Sequence, residues 1–408
     1  MRVSTTGIFE AGINQIGVLQ SNLAKTQLQM STGKRNLTAA DDPIAASRAL
    51  EIVQSQSINE QFAVNRLNAN SSLSQVESSL ASATTLMHDV KQLAINAGHG
   101  GLSDADRASL ATDLRGRLDD LLAIANTADG AGGYLFSGFR STTLPFIKTA
   151  TGAQYQGDQG QRLLQVGSSR NIPISNSGNA IFEGNVTGNG TFVTAAGSAP
   201  ANTGSGIVSI GSVTNAAQLT GNSYTITFNV SATTPAVTTF DIMNDTTGTP
   251  VSAGNAFTPG QPIAFDGLQF DVTGAPANTD TFTVTPSEKQ SIFTTLTTLI
   301  DSLGRPSSGS TGQANLTNAL NTANANLNNA LDNLLSVRST IGSHLRELDY
   351  LDSSGDDIDI QYKQTLSDLQ DLDYTKAISS FAQQQTTLEA AQRSYTKIAG
   401  LSLFNYIS

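Results

Sequence analysis

The sequence predicts a mainly α protein with an inserted β domain. A long coiled-coil-like helical rod is drawn from both terminal regions, with a β-hairpin and a distal small β domain. Three observations predict it. Apolar and small residues recur at alternating spacings of three and four near both ends of the 408-residue chain, the mark of helices with one sticky stripe. Between them the period falls to two, the repeat of half-buried strands. Charge is segregated the same way: from Asn171 to Ser287 there is no Lys, Arg or His, and Glu183, Asp241, Asp245, Asp266, Asp271 and Asp280 carry all the charge. The helical zones are residues 1 to about 139 and about 287 to 408.

The first helix carries Phe9, Gly12, Ile16, Leu19, Leu23, Thr26 and Met30 on its stripe, and Gly33 is placed to stop it. Asp42 followed by Pro43 is the N-cap and first-turn proline of a second helix running to about Asn96. Its seam is Leu73, Val76, Leu80, Ala83, Met87, Val90 and Ala94, and Gly98, Gly100 and Gly101 break it. Ser103 with Asp106 three residues on is a capping signal. The helix that follows has the seam Ala111, Leu114, Leu118, Leu121, Ala125 and Ala128, ended by Asp129-Gly130. In the last zone the alternation runs from Leu316 through Leu320, Ala323, Leu327, Ala330, Leu334, Val337, Ile341 and His344 to Leu348 and Leu351. A helix of that span is about 54 Å long. Ser353, Ser354 and Gly355 predict a break, after which a final helix carries Tyr374, Ala377, Phe381, Gln384, Leu388, Ala391, Tyr395 and Ile398.

In the middle, Tyr224, Ile226, Phe228 and Val230 alternate with Thr225, Thr227 and Asn229 as one strand. Pro262 to Phe265, Asp266-Gly267 and Leu268 to Val272 read as a hairpin, because Asp-Gly tolerates the positive φ angles of a type I′ turn. Thr281 to Val284 is a further strand. The remainder, rich in Gly, Ser, Thr and Asn, predicts long exposed loops.

Composition narrows the function. With 22 basic and 33 acidic residues the net charge is −11, which repels phosphate backbones and argues against nucleic acid as a partner. The absence of cysteine excludes disulfides, thiolate metal sites and a cysteine nucleophile. No apolar run approaches the ~18 residues that a membrane span needs, and Met1 to Glu10 lacks the apolar segment of a cleavable signal. No membrane partner is therefore expected.

Catalytic and metal chemistry are weakly supported. His88, His99 and His344 form no His-x-x-x-His pair, so no metal is expected. Asp356, Asp357 and Asp359 lack the Gly and Glu of a calcium loop and read as a solvated turn between helices. Gly33-Lys34 is followed by Arg35 and not by the hydroxyl residue of a phosphate-binding loop. No Gly-x-Ser-x-Gly occurs, and a middle zone without histidine cannot build a local Ser-His-Asp triad. Neither an enzyme nor a cofactor is expected.

What remains is the stripes. The first and last helices can pair, but Gly12, Thr26 and Gln384 dilute the seam, and short helices gain most of their stability from tertiary burial. Neighbouring copies would supply the rest, so the ends are expected to order on polymerisation. Neutral Asn, Gln, Ser and Thr faces suit such packing, since they carry no like-charge repulsion. An ordinary intramolecular bundle is the alternative.

Particular motifs weigh between the two. Gly33-Lys34-Arg35 with Asp41-Asp42-Pro43, the run from Gly133 to Gly138 leading to Pro145-Phe146, and the stretch Leu369 to Ser408 resemble the flagellin superfamily. That last stretch contains Asp373-Tyr374, Ala377, Gln383-Gln384-Gln385, Leu388-Glu389-Ala390 and Ser402-Leu403-Phe404. More narrowly the sequence resembles the hook-filament junction family, from which the Tyr-Leu-Phe-Ser-Gly run separates flagellin itself. The likeness covers roughly residues 1–150 and 287–408.

The resemblance implies a structural subunit of the bacterial flagellum, exported by the flagellar type III pathway and assembled outside the cell. The implied partners are copies of itself in a ring, hook-associated protein 1 on the hook side, flagellin on the filament side, and a cytoplasmic export chaperone binding the C-terminal region. It implies an inner coiled coil of residues 1–42 and 362–408 and a helical rod domain with β-hairpin of 43–170 and 287–361, the hairpin falling near Tyr134 to Val166. Residues 171–286 are the inserted β domain. The assembly interface candidates are Ile16, Leu19, Leu23, Met30, Lys34, Arg35, Asp41, Asp42, Phe381, Leu388, Tyr395 and Ile398. The rival readings are a filament flagellin and, more distantly, a surface-binding module acting through the β insert.

Overall fold

The computed structural model describes residues 5–198 and 200–400. They fall into two compact units, residues 65–349 and the paired segments 1–64 and 350–408. The motif Ser402-Leu403-Phe404 lies outside the described residues.

Among the described residues there are six α-helices: α1 (Thr5–Thr32), α2 (Pro43–Ala97), α3 (Asp104–Ala125), α4 (Ile292–Leu303), α5 (Gly309–Gln370) and α6 (Tyr374–Gly400). The caps are those the sequence signals. Gly33 takes φ +69° after α1, and the Asp42 carboxylate accepts from the Ala45 N–H at 3.0 Å. Ser103 and Asp106 close a reciprocal capping box. The third helix stops one turn early: Asn126 caps it, its side chain exchanging two hydrogen bonds with the Phe146 backbone. Ala128 therefore leaves the seam for a bridge to Tyr134.

The expected break at Ser353 to Gly355 is absent. α5 runs unbroken through it, and Asp356, Asp357 and Asp359 sit on the helix and not on a turn. Intrinsic propensity loses here to tertiary context. Asn59 of α2 donates to the Gly355 carbonyl at 2.8 Å, Gln56 donates to Asp359 at 2.9 Å, and Lys363 pairs with Asp359 one turn back at 2.6 Å.

In the unit of residues 65–349 the seams of α2, α3 and α4 are buried, including every α2 position from Leu73 to Ala94 that the spacing selects, and so is the α5 seam from Leu316 to Leu348 except for half-buried Val337 and His344. Arg107, buried on α3, donates to the carbonyls of Ala97, His99 and Leu102 and to the Ser307 hydroxyl, so it ties the α2 end to the segment before α5.

Two hairpins follow α3: β1 (Phe146–Thr149) with β2 (Gly152–Tyr155), and β3 (Leu163–Gly167) with β4 (Arg170–Pro173). Their packing explains the Gly133 to Gly138 motif. Leu135 and Phe136 are core, and Phe136, Phe146, Phe182 and Phe293 stack with ring centroids 5.1–5.9 Å apart. Gly138, at φ +71°, leaves room for Asp158, whose carboxylate accepts from the N–H groups of Phe139, Arg140 and Gly160. Those backbone donors hold the Asp158 carboxyl below its ordinary range.

The insert holds β5 (Asn185–Val186), β6 (Phe192–Ala196), β7 (Ile207–Val208), β8 (Ser212–Val213), β9 (Tyr224–Val230), β10 (Thr238–Asn244) and β11 (Thr249–Ala256). It continues with β12 (Pro262–Phe265), β13 (Leu268–Thr273), β14 (Thr281–Pro286) and β15 (Lys289–Gln290). A five-stranded antiparallel sheet runs β11-β10-β9-β14-β6, and β12-β13-β7 forms a second sheet with β8 beside β13. Tyr224, Ile226, Phe228, Phe270, Phe282 and Val284 fill the core between them. Asp266 and Gly267 adopt φ +44° and +79°, as the hairpin turn requires. The expectation of loops fails at 238–256, where β10 and β11 continue the sheet.

The insert is held to α5 by asparagines. Asn318 accepts from Val208 N–H and donates to Gly206, and Asn329 donates to Val186 and Gly188. Asn333 donates to Ala180, Ile181 and Asn185.

Candidate assembly surface

In the unit of residues 1–64 and 350–408, α1 and α6 lie against each other along the predicted stripes. Phe9 meets Tyr395 edge to face at 6.1 Å, and Thr26 donates to Gln384 at 3.0 Å. Gly12 lets that aromatic pair sit close, because a Cβ there would stand 3.0 Å from the Tyr395 ring and push it aside. The seam is only half closed. Ile16, Leu19, Leu23, Met30, Phe381, Leu388 and Tyr395 are each half-buried, and only Thr26 and Ala377 on the two stripes are fully buried. Beside Phe9, Ile16 and Tyr395 the pair leaves an open groove of 180 Å³. Ile398, on its rim, is exposed.

The link between α1 and α2 is folded onto the turn before α6. The Leu372 N–H donates to Gly33, Lys34 bridges to Asp371, and the Arg35 N–H donates to Gln370 at 2.7 Å. The Arg35 guanidinium reaches the Leu369 carbonyl at 3.2 Å and stands 3.7 Å from Asp42. Asp41 accepts from Lys25 at 2.6 Å and from the N–H groups of Leu37 and Thr38. The Lys25 hydrogen bond, with the Thr38 N–H behind it, lowers the Asp41 pKa to about 2. Within one chain, then, the charged candidates Lys34, Arg35, Asp41 and Asp42 staple the α1–α2 link.

The structure adds residues that the seam analysis omits. Ile13, Val18 and Leu28 on α1, Leu50, Val53, Ile58 and Val64 on α2, Tyr350 and Ile360 on α5, and Ile378 on α6 are all exposed, Leu50 to 71 % and Tyr350 to 72 %. On α2 the exposed positions 50, 53, 57, 60 and 64 keep the alternation of three and four, interrupted by Ser57 and Glu60. That pattern is a second stripe, legible by extending the α2 reading toward its N-terminus. Exposed apolar residues in such a row make it a candidate interaction surface.

Among the described residues, no helix is long and apolar enough to cross a membrane. No group of three or more His, Asp or Glu side chains there is placed to hold a metal ion.

Comparison with known proteins follows the same lines. Residues 3–141 match the family described as the bacterial flagellin N-terminal helical region. Flagellar hook-associated protein 3 of Escherichia coli strain K12 is 31 % identical over 404 residues, 99 % of this chain and 99 % of that protein. The crystal structure of the flagellar junction protein FlgL from Legionella pneumophila superposes with a TM-score of 0.71 at 31 % identity, covering 79 % of this chain and 100 % of that one. The B-type flagellin of Pseudomonas aeruginosa is 29 % identical over 124 residues, only 30 % of this chain and 25 % of that protein.

Proposed function

The chain belongs to the flagellar hook-associated protein 3 family, and we propose that it builds its part of the flagellum by packing its terminal helices and the exposed α2 stripe against further copies of itself. It is a homologue of the hook-filament junction protein, a flagellin-like, non-enzymatic structural component of the extracellular flagellum that assembles with hook and filament components. In the proposed arrangement the copies form a ring, with hook-associated protein 1 on the hook side and flagellin on the filament side. Before export, a cytoplasmic chaperone holds the C-terminal region.

Residues 1–42 and 362–408 form the assembly core, residues 43–170 and 287–361 the helical rod domain with its β-hairpin, and residues 171–286 the inserted β domain. Ile16, Leu19, Leu23, Met30, Phe381, Leu388, Tyr395 and Ile398 are its apolar contacts. Lys34, Arg35, Asp41 and Asp42 fix the link between them.

The observation that carries this reading is the half-closed α1–α6 seam beside a row of exposed Leu, Ile and Val. Each such side chain gains about 1.5–3 kcal/mol on full burial, a gain that the single chain leaves unrealised. Cryo-microscopy of hook tips carrying this chain tests it. A short layer between hook and filament is the expected result, whereas subunits distributed along the filament would make the chain a flagellin.

A further inference from the structure

One unassigned feature lies where the five-stranded sheet meets α4 and α5. A cleft of 490 Å³ opens there, a volume in the range of small-ligand sites, about 300–1,000 Å³. One wall is the end of β6, the edge strand of its sheet. Two bonds fix which way its peptide groups point: the Gly197 N–H donates to Thr281 and the Ser287 N–H donates to Thr191. Odd-numbered residues therefore face β14, and antiparallel geometry turns the N–H and C=O of Ala196 away from it, toward the cleft. The opposite edge of the same sheet is blunted by Pro250 and by register shifts between Phe240 and Met243; β6 carries no such device.

The facing wall supplies groups without protein partners. Asn326 is fully buried and uses Oδ1 to accept from Gly188, which leaves its Nδ2 donors uncommitted. Gln290 donates to Thr295 and keeps Oε1 free. Asn315 and Arg305 line the cleft at its exposed rim, and Arg305 makes no side-chain bond among the described residues. Ala196 and Ala323 keep the floor shallow and apolar. The set is therefore one unpaired, exposed cation at the rim, two carboxamides, a further amide acceptor and a strand edge.

We propose that this cleft binds a small ligand carrying a carboxylate and a secondary amide, the pairing found at a peptide C-terminus and in N-acylated sugar acids. The carboxylate meets Arg305. The amide pairs with the Ala196 backbone, and Asn315, Asn326 and Gln290 take the remaining polar atoms. This binding is independent of the role in the junction.

Saturation-transfer NMR on the full chain tests it with three probes: N-acetyl-alanyl-alanine, the same dipeptide with its C-terminus amidated, and N-acetylneuraminic acid. Transfer to at least one of the two acids at millimolar concentration is expected, with about tenfold weaker binding for the amidated dipeptide. Which acid binds identifies the source. Arg305→Gln should weaken binding about tenfold and Asn315→Leu less, while Arg115→Gln, an exposed arginine on α3, leaves it unchanged. No transfer to either acid at about 10 mM would overturn the proposal, as would equal binding by the wild-type chain and the Arg305→Gln variant.

Discussion

Asp41 and Asn333 show how single polar side chains set the backbone course of this chain. Asp41 gathers Lys25 and two N–H groups, and its pKa is lowered to about 2. A group whose folded pKa is depressed stabilises above its unfolded value, near 3.9, and loses that contribution as pH falls toward the folded value. The wild-type chain should therefore show an acid limb of unfolding between about pH 4 and 2 to which Asp41 contributes. Circular dichroism of Asp41→Asn across that window should show a flatter limb, with the loss already present at neutral pH.

Asn333 offers its amide hydrogens to two carbonyls and a carboxamide oxygen. Asn333→Asp sets a carboxylate against the same oxygens and should cost about 2 kcal/mol at pH 7 in denaturant unfolding, recovering in part where that carboxyl protonates. Among single residues, caps were the most legible. Gly33, Asp42, Ser103 and Asp266-Gly267 announce themselves because their roles are local. The asparagines of α5 do not, because their partners lie more than a hundred residues away in sequence.

At the scale of elements, spacing predicted α1, α2, α3 and α6 well because each has a buried or half-buried stripe. It failed at Ser353 to Gly355, where three weak helix formers are held helical by α2. It also missed β10 and β11, whose Thr, Gly and Pro content reads as loop until β9 supplies a template. The seam residues of α1 and α6 and the exposed apolar residues of α2 separate by experiment. Leu388→Asp puts a charge into the α1–α6 seam and should lower helicity of the isolated chain as well as assembly. Leu50→Asp lies on an exposed face and should leave the isolated chain's circular dichroism unchanged while blocking assembly, measured by sedimentation. An assembling Leu50→Asp variant would remove the α2 stripe from the interface.

For the molecule as a whole, stability should be uneven. The unit of residues 65–349 has buried seams and a two-sheet core, whereas the α1–α6 pair relies on half-buried contacts. Hydrogen exchange should find the amides of residues 19–30 and 388–398 poorly protected in a dilute chain and strongly protected in the assembled one. Equal, strong protection in both would mean that neighbours add nothing to these helices.

The cation-free stretch has a practical consequence for following assembly. Trypsin finds no site between Arg170 and Lys289, so even a fully denatured chain yields one long peptide containing β5 to β14. Amine-reactive dyes are equally blind there. Five of the eight lysines, Lys25, Lys34, Lys363, Lys376 and Lys397, fall in the segments 1–64 and 350–408. Such a label would thus report chiefly on the segments proposed to meet when subunits join, and leave the insert dark.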